Sequence, residues 1–244
     1  MKKPTYRRIF AYVIDIIIIN IIVLAFTNIK FLNPKMDEYQ EAANKYEEYI
    51  AELSMTDPTS VLTDEKATDL SYEVAYYGVP SILITLIITF LYFSLFQYYT
   101  KGKTLGKLIC GLEVVSTDKK ELKLSQVIIR SAIIDSIFTS SILLIMVLFL
   151  TKASFIKLSI FVQILDAALL FTSFGMIIYR SDGVGLHDYL AKTRVILSCE
   201  KEDFLEDNNE IKDAKIVKEK TSVINEKTEK IKIARKKTTK KGDK

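Results

Sequence analysis

The chain has 244 residues, 49% hydrophobic and 26% charged, with a formal net charge of +4. Its apolar residues are clumped into long runs between charged stretches, which is the pattern of a membrane protein with soluble appendages. Two cysteines, Cys110 and Cys199, and one histidine, His187, exclude a disulfide framework and a standard zinc site. There is no Gly-rich phosphate loop, Walker sequence or Gly-x-Ser-x-Gly elbow, so the chain reads as a non-enzyme without cofactor or metal.

Residues 7–29, RRIFAYVIDIIIINIIVLAFTNI, are apolar for long enough to cross a bilayer and predict a first membrane helix over about 9–29. The run is too long for a signal peptide, and no small-x-small cleavage site follows it. It opens on Arg7 and Arg8 and carries Asp15, an aspartate that costs about 2.5–3.5 kcal/mol at membrane depth. Arg8 and Asp15 lie two helical turns apart, about 10 Å along the axis. Each is therefore expected to pair with another helix.

The loop 30–79 is acidic, with eleven acids against four bases over 30–78. Tyr39, Ala43, Tyr46, Ile50 and Leu53 recur at steps of three and four, the stripe of an amphipathic helix. Asp57-Pro58 is expected to end that helix. Its stripe is expected to cover the membrane domain or pack on itself.

A second span is predicted over 80–99, with Tyr92, Tyr98 and Tyr99 along its rim. After it, Leu105, Leu108, Ile109 and Leu112 suggest an interfacial helix, while residues 112–115 also suit a short strand. Residues 116–121 read as a turn. Despite its lysines and glycines, GKTLGK is not a phosphate loop: Gly102 and Gly106 are too close, and Leu108 follows Lys107.

The third span, about 127–150, contains Arg130 and Asp135. The fourth, about 158–179, contains Gln163 and Asp166, and the short connection makes the two antiparallel neighbours. The predicted fold is thus an all-α membrane protein, with a four-helix domain over 1–199 and a charged tail over 200–244. Lysines and arginines collect before the first span, between the second and third, and after the fourth. That bias places both termini in the cytoplasm and the acidic loop outside.

The tail changes sign along its length, from a net of −5 over 200–213 to +8 over 214–244. Such composition reads as disordered or partly helical. The basic part suits contact with anionic lipid. It has no aromatic residue after Phe204, which argues against specific nucleic-acid binding.

Four pieces of the chain, in order, resemble the RDD family of bacterial membrane proteins. RRIFAYVID carries Arg8 and Asp15, GKTLGKLICGLEVV follows the second helix, RSAIIDSIF opens the third, and GLHDYLAKTRVI closes the domain. The resemblance covers roughly residues 6–197. Its second aspartate falls on Asp135 or Asp188, with Asp188 preferred. The resemblance implies a multi-pass protein of the bacterial plasma membrane whose function is unsettled. Ligand transport is the usual suggestion, and sodium/proton antiport has been proposed for some members.

The candidate site residues are Arg8, Asp15, Arg130, Asp135 and Asp166, with His187 and Asp188 as a structural motif. The carboxylates and Arg130 could form a proton or cation relay. The plainer alternative pairs Arg8 and Arg130 with Asp15 and Asp135 to lock helices together. Asp188 is expected to cap a helix start. Function is read as transport of a cation or small solute, with a non-transporting assembly or scaffold protein as the alternative. A homo-oligomer or a membrane partner is compatible with either.

Overall fold

The computed structural model describes residues 4–57, 63–118, 121–202 and 204. Contacts divide the chain into two units, 1–198 and 199–244. The basic tail 214–244, with its expected lipid contact, lies outside the described residues. So does Pro58.

The first unit is mostly helical, with three or four candidate membrane spans. Helix α1, Thr5–Thr27, is the first. The second runs over Val79–Tyr99 as α4 (Val79–Phe90), a π-helical segment (Leu91–Phe96) and the short α5 (Gln97–Tyr99). Helix α9, Lys152–Tyr179, begins six residues earlier than its hydropathy suggested. Side chains such as Phe171 (80% exposed) and Leu24 (64% exposed) face outward. In a bilayer that surface meets hydrocarbon, so the outward residues follow the rule for a membrane solvent rather than for water.

The third span is not one straight helix. It breaks into α7 (Leu124–Ile134) and α8 (Ile137–Phe149), which meet at 67°. Asp135 ends α7, and Ser136 adopts a left-handed φ of 51°. Asp166 on α9 holds this break. It accepts hydrogen bonds from Ser136 Oγ at 2.9 Å and Thr139 Oγ1 at 2.7 Å, at the start of α8. Helix starts favour nearby negative charge.

The acidic loop forms two helices where one was expected, α2 (Met36–Thr56) and α3 (Glu65–Tyr77). Asp64 caps α3 by accepting from Ala67 N–H at 2.7 Å. The two helices form a hairpin. Tyr72 of α3 sits edge-on against Phe155 of α9, and its hydroxyl donates to Val147 O of α8 at 3.4 Å.

At the opposite end of the bundle, the segment after the second span forms a short helix and then a strand, and Leu112 falls in the strand. Helix α6 covers Leu105–Ile109 and strand β1 covers Leu112–Ser116. β1 pairs antiparallel with β2, Thr193–Leu197, from Leu112 opposite Leu197 to Ser116 opposite Thr193. Helix α10, Leu186–Ala191, precedes β2. Gln126 of α7 ties these pieces together, donating to Ser116 Oγ and to the Ala191 and Lys192 carbonyls at 3.0–3.2 Å.

Candidate functional site

The polar residues predicted as a site converge at the end of the bundle that carries α6, α10 and the two strands. They do not pair as expected. Arg8 and Arg130 both meet Asp188, neither meets Asp15, and Asp135 makes no ion pair with either. Arg8 Nη2 lies 2.5 Å from Asp188 Oδ2, and Arg130 Nη1 contacts Oδ1. Thr193 also donates to Oδ1, at 3.3 Å. Asp188 is fully buried, and the two arginine side chains are no more than 10% exposed. Asp188 is therefore not a backbone cap. It is the shared counter-ion of two guanidiniums that arrive from α1 and α7. A buried carboxylate held on both oxygens by charged donors is well placed to offset its desolvation.

Asp15 has a different set of partners. Tyr92 Oη and Thr104 Oγ1 donate to it at 2.5 Å, and Gly106 N–H donates at 2.7 Å. These donors explain the segment GKTLGK. Thr104 caps α6 by accepting from Lys107 N–H and also reaches Asp15. Gly106 brings the α6 backbone onto α1, where a Cβ would lie 2.1 Å from Ala11 O and 2.9 Å from the Asp15 carboxyl. Gly102 has φ +88°, and a Cβ there would lie 2.1 Å from Val114 O, so the turn before α6 also needs glycine. Asp15 therefore docks α6 onto α1.

The π-helical segment turns three successive side chains inward: Tyr92, Phe93 and Ser94. Tyr92 reaches Asp15, and Ser94 Oγ lies 2.6 Å from Ser131 Oγ of α7. A single-turn π segment widens a helix locally, and such turns concentrate at functional sites.

His187 is buried, and its Nδ1 contacts Ser173 Oγ on α9. Burial, then the charges of Arg130, Arg8 and Lys107, push its imidazole well below the usual range, so it is neutral near pH 7. Ser173, His187 and Asp188 line up in the order of a nucleophile, base and orienting acid. Ser173 is fully buried, however, and a nucleophile needs access to its substrate. The arrangement anchors α10 to α9.

Between these anchored groups lies a cavity of about 60 Å³, counted as space open to water centres. At the ~30 Å³ that a water occupies in the liquid, that is room for about two waters. Arg8, Asp15, Gln97, Lys107, Arg130, Asp135 and His187 line it, with Tyr12, Phe93 and Phe174 among its apolar walls. Among the described residues, three of its polar atoms are buried without a hydrogen-bond partner: Asp135 Oδ1, Gln97 Nε2 and Arg130 Nη1, the last in ion contact with Asp188. Gln97 is 1% exposed, and its other amide atom, Oε1, accepts from Lys107 Nζ at 3.3 Å. Burial, then the nearby Arg130 guanidinium, lower the Lys107 ammonium to about 7. Buried orphan atoms are uncommon in native folds and point to a bound species or to function.

Nothing in the sequence marked Tyr92, Gln97, Thr104, Gly106, Lys107 or Ser173 as site residues, and Tyr92, expected on the membrane rim, is buried against Asp15. Only Thr104, Gly106 and Lys107 carried a signal, through the family-like GKTLGK. Asp166 stands apart from the relay expected of it, since its partners are Ser136 and Thr139. No group of three or more His, Cys, Asp or Glu side chains among the described residues is arranged to hold a metal.

A family model described as RDD family matches residues 3–192. No curated protein and no solved structure matches the chain.

Proposed function

Since the chain belongs to the RDD family and is a multi-pass membrane protein, we propose that it moves a small cation across the bacterial plasma membrane in exchange for protons. One observation carries this reading. Asp135 keeps a buried oxygen without a partner in a cavity of about 60 Å³. Asp15, Asp166 and Asp188 already have donors on both oxygens. They act as fixed joints, which leaves Asp135 as the carboxylate with an open position.

Charge balance supports coupling to protons. With Lys107 protonated, Arg8, Lys107 and Arg130 offset Asp15, Asp135 and Asp188. A cation beside Asp135 then adds an uncompensated charge in a medium of low dielectric. Loss of the Lys107 proton restores neutrality, and burial, which lowers the affinity of that ammonium for its proton, favours the release. One cation enters as one proton leaves. The lysine and arginine bias supports an orientation with both termini in the cytoplasm and the α2–α3 hairpin outside. Labelling of introduced cysteines in intact cells tests that orientation.

The central experiment is flux into liposomes followed with sodium- and proton-sensitive dyes. Asp135→Asn is expected to abolish exchange. Asp166→Asn is expected to lower the yield of folded protein while leaving exchange per folded molecule. Unchanged exchange in Asp135→Asn would overturn the mechanism. A wild-type protein with no flux for any ion would favour the non-transporting assembly reading, which the exposed charges of the α2–α3 hairpin support. In that case the hairpin would be the surface that holds a partner.

A further inference from the structure

A second cavity lies at the other end of the bundle, between the α2–α3 hairpin and helices α4, α8 and α9. At about 370 Å³, counted in the same way, it is far larger than the one beside Asp135. No charged side chain lines it. Thr68 and Ser71 of α3 and Gln163 of α9 give it a polar side, and Ile82, Val147 and Phe155 give it an apolar wall. We propose that this cavity takes one hydrocarbon chain of a membrane lipid, inserted beneath the hairpin between α8 and α9.

Three observations select that occupant. First, the lining excludes ionic recognition: a phosphate or carboxylate inside it would find no cation, and a metal ion no carboxylate. Second, the cavity is continuous with the bilayer-facing surface of α9. Ile160 lines it and is 39% exposed, and its neighbours Phe161 and Ile164 are each 64% exposed. The molecules that meet this surface in a membrane are acyl chains. Third, the hairpin is held off the bundle. Tyr72 fixes α3 to Phe155 and to Val147 O, and Lys152 reaches Asp69 at 3.3 Å. The small residues Ala67, Ser71 and Ala75 of α3 then face the bundle without filling the space.

The test uses the full chain in vesicles of a phospholipid that carries a photoactivatable group in one acyl chain. Crosslinks are mapped by mass spectrometry after illumination. Lipid around the protein labels outward residues such as Phe171. Val147 and Phe155 line the cavity and are 2% and 6% exposed, so lipid outside the protein does not reach them. We expect label on Val147 or Phe155 in the wild type, and its loss in Ala75→Phe and in Ser159→Phe. These two variants fill the cavity from opposite walls. Label on Phe171 persists in both and reports that the protein is inserted and folded. Wild-type label confined to outward residues would overturn the proposal. So would interior label that survives both filled variants.

Discussion

The two ends of this bundle use paired opposite charges to different effect. On the hairpin side, Lys30–Asp37, Lys45–Glu41 and Lys152–Asp69 are ion pairs whose side chains are about half or more exposed. On the strand side, the side chains of Arg8, Arg130 and Asp188 meet almost fully buried. Exposed pairs gain little, because water and salt screen them and long side chains lose freedom. The buried set is held in place because removing one member strands the others. A charge is informative about this fold in proportion to what its loss would leave behind.

The strongest way to break that contrast is Asp188→Asn. It leaves two buried guanidiniums with no carboxylate, and should destabilise the protein by about 3–5 kcal/mol. Thermal unfolding in detergent measures it. Wild-type stability would mean that the arginines find other partners. Gly106→Ala is next. Its Cβ would press on a backbone oxygen of α1, which cannot swing away as a side chain can. Overpacking of that kind costs about 1–3 kcal/mol. The same melting assay should show a smaller loss than for Asp188→Asn.

Lys107 sharpens the contrast through pH. In the unfolded chain its ammonium keeps the ordinary value near 10.4. Folding lowers it to about 7. Between those values the unfolded state binds more protons, so this group makes stability rise as pH increases from about 7 towards 10. Lys107→Met should remove that part of the slope, read as melting temperature against pH. Identical slopes in the two proteins would mean that Lys107 is solvated like a surface lysine. At the far end of the scale, Lys45→Gln breaks a fully solvated pair and should leave melting unchanged. A clear shift there would show that the hairpin end depends on its charges after all.

Long apolar periodicity made the spans legible, because a bilayer accepts few alternatives to a helix. The stripe at Tyr39, Tyr46 and Ile50 revealed α2, and LEVVS hinted at β1. The break at Asp135–Ser136 was hidden in RSAIIDSIF, which has no glycine or proline to mark it. The break depends on Asp166, whose Oδ2 accepts from Ser136, thirty residues earlier. Asp15 was visible as a costly aspartate, yet its partners are a tyrosine, a threonine and a backbone amide. Neutral donors leave no charge pattern in a sequence. Asp188 was visible through the resemblance and as an expected helix cap, not as the counter-ion of two arginines. Pairing arginines with aspartates by apparent depth led to Asp15 and Asp135, because nothing in the linear order shows that α10 folds back between α1 and α7.

The bond between Arg8 and Asp188 spans 180 residues. A ribosome adds about 5–20 residues each second, so Arg8 waits on the order of ten to forty seconds for its counter-ion to be made. During that interval α1 must enter the bilayer with its guanidinium held at the headgroup boundary by its long side chain. The first helix is thus made long before the carboxylate that pairs with its arginine.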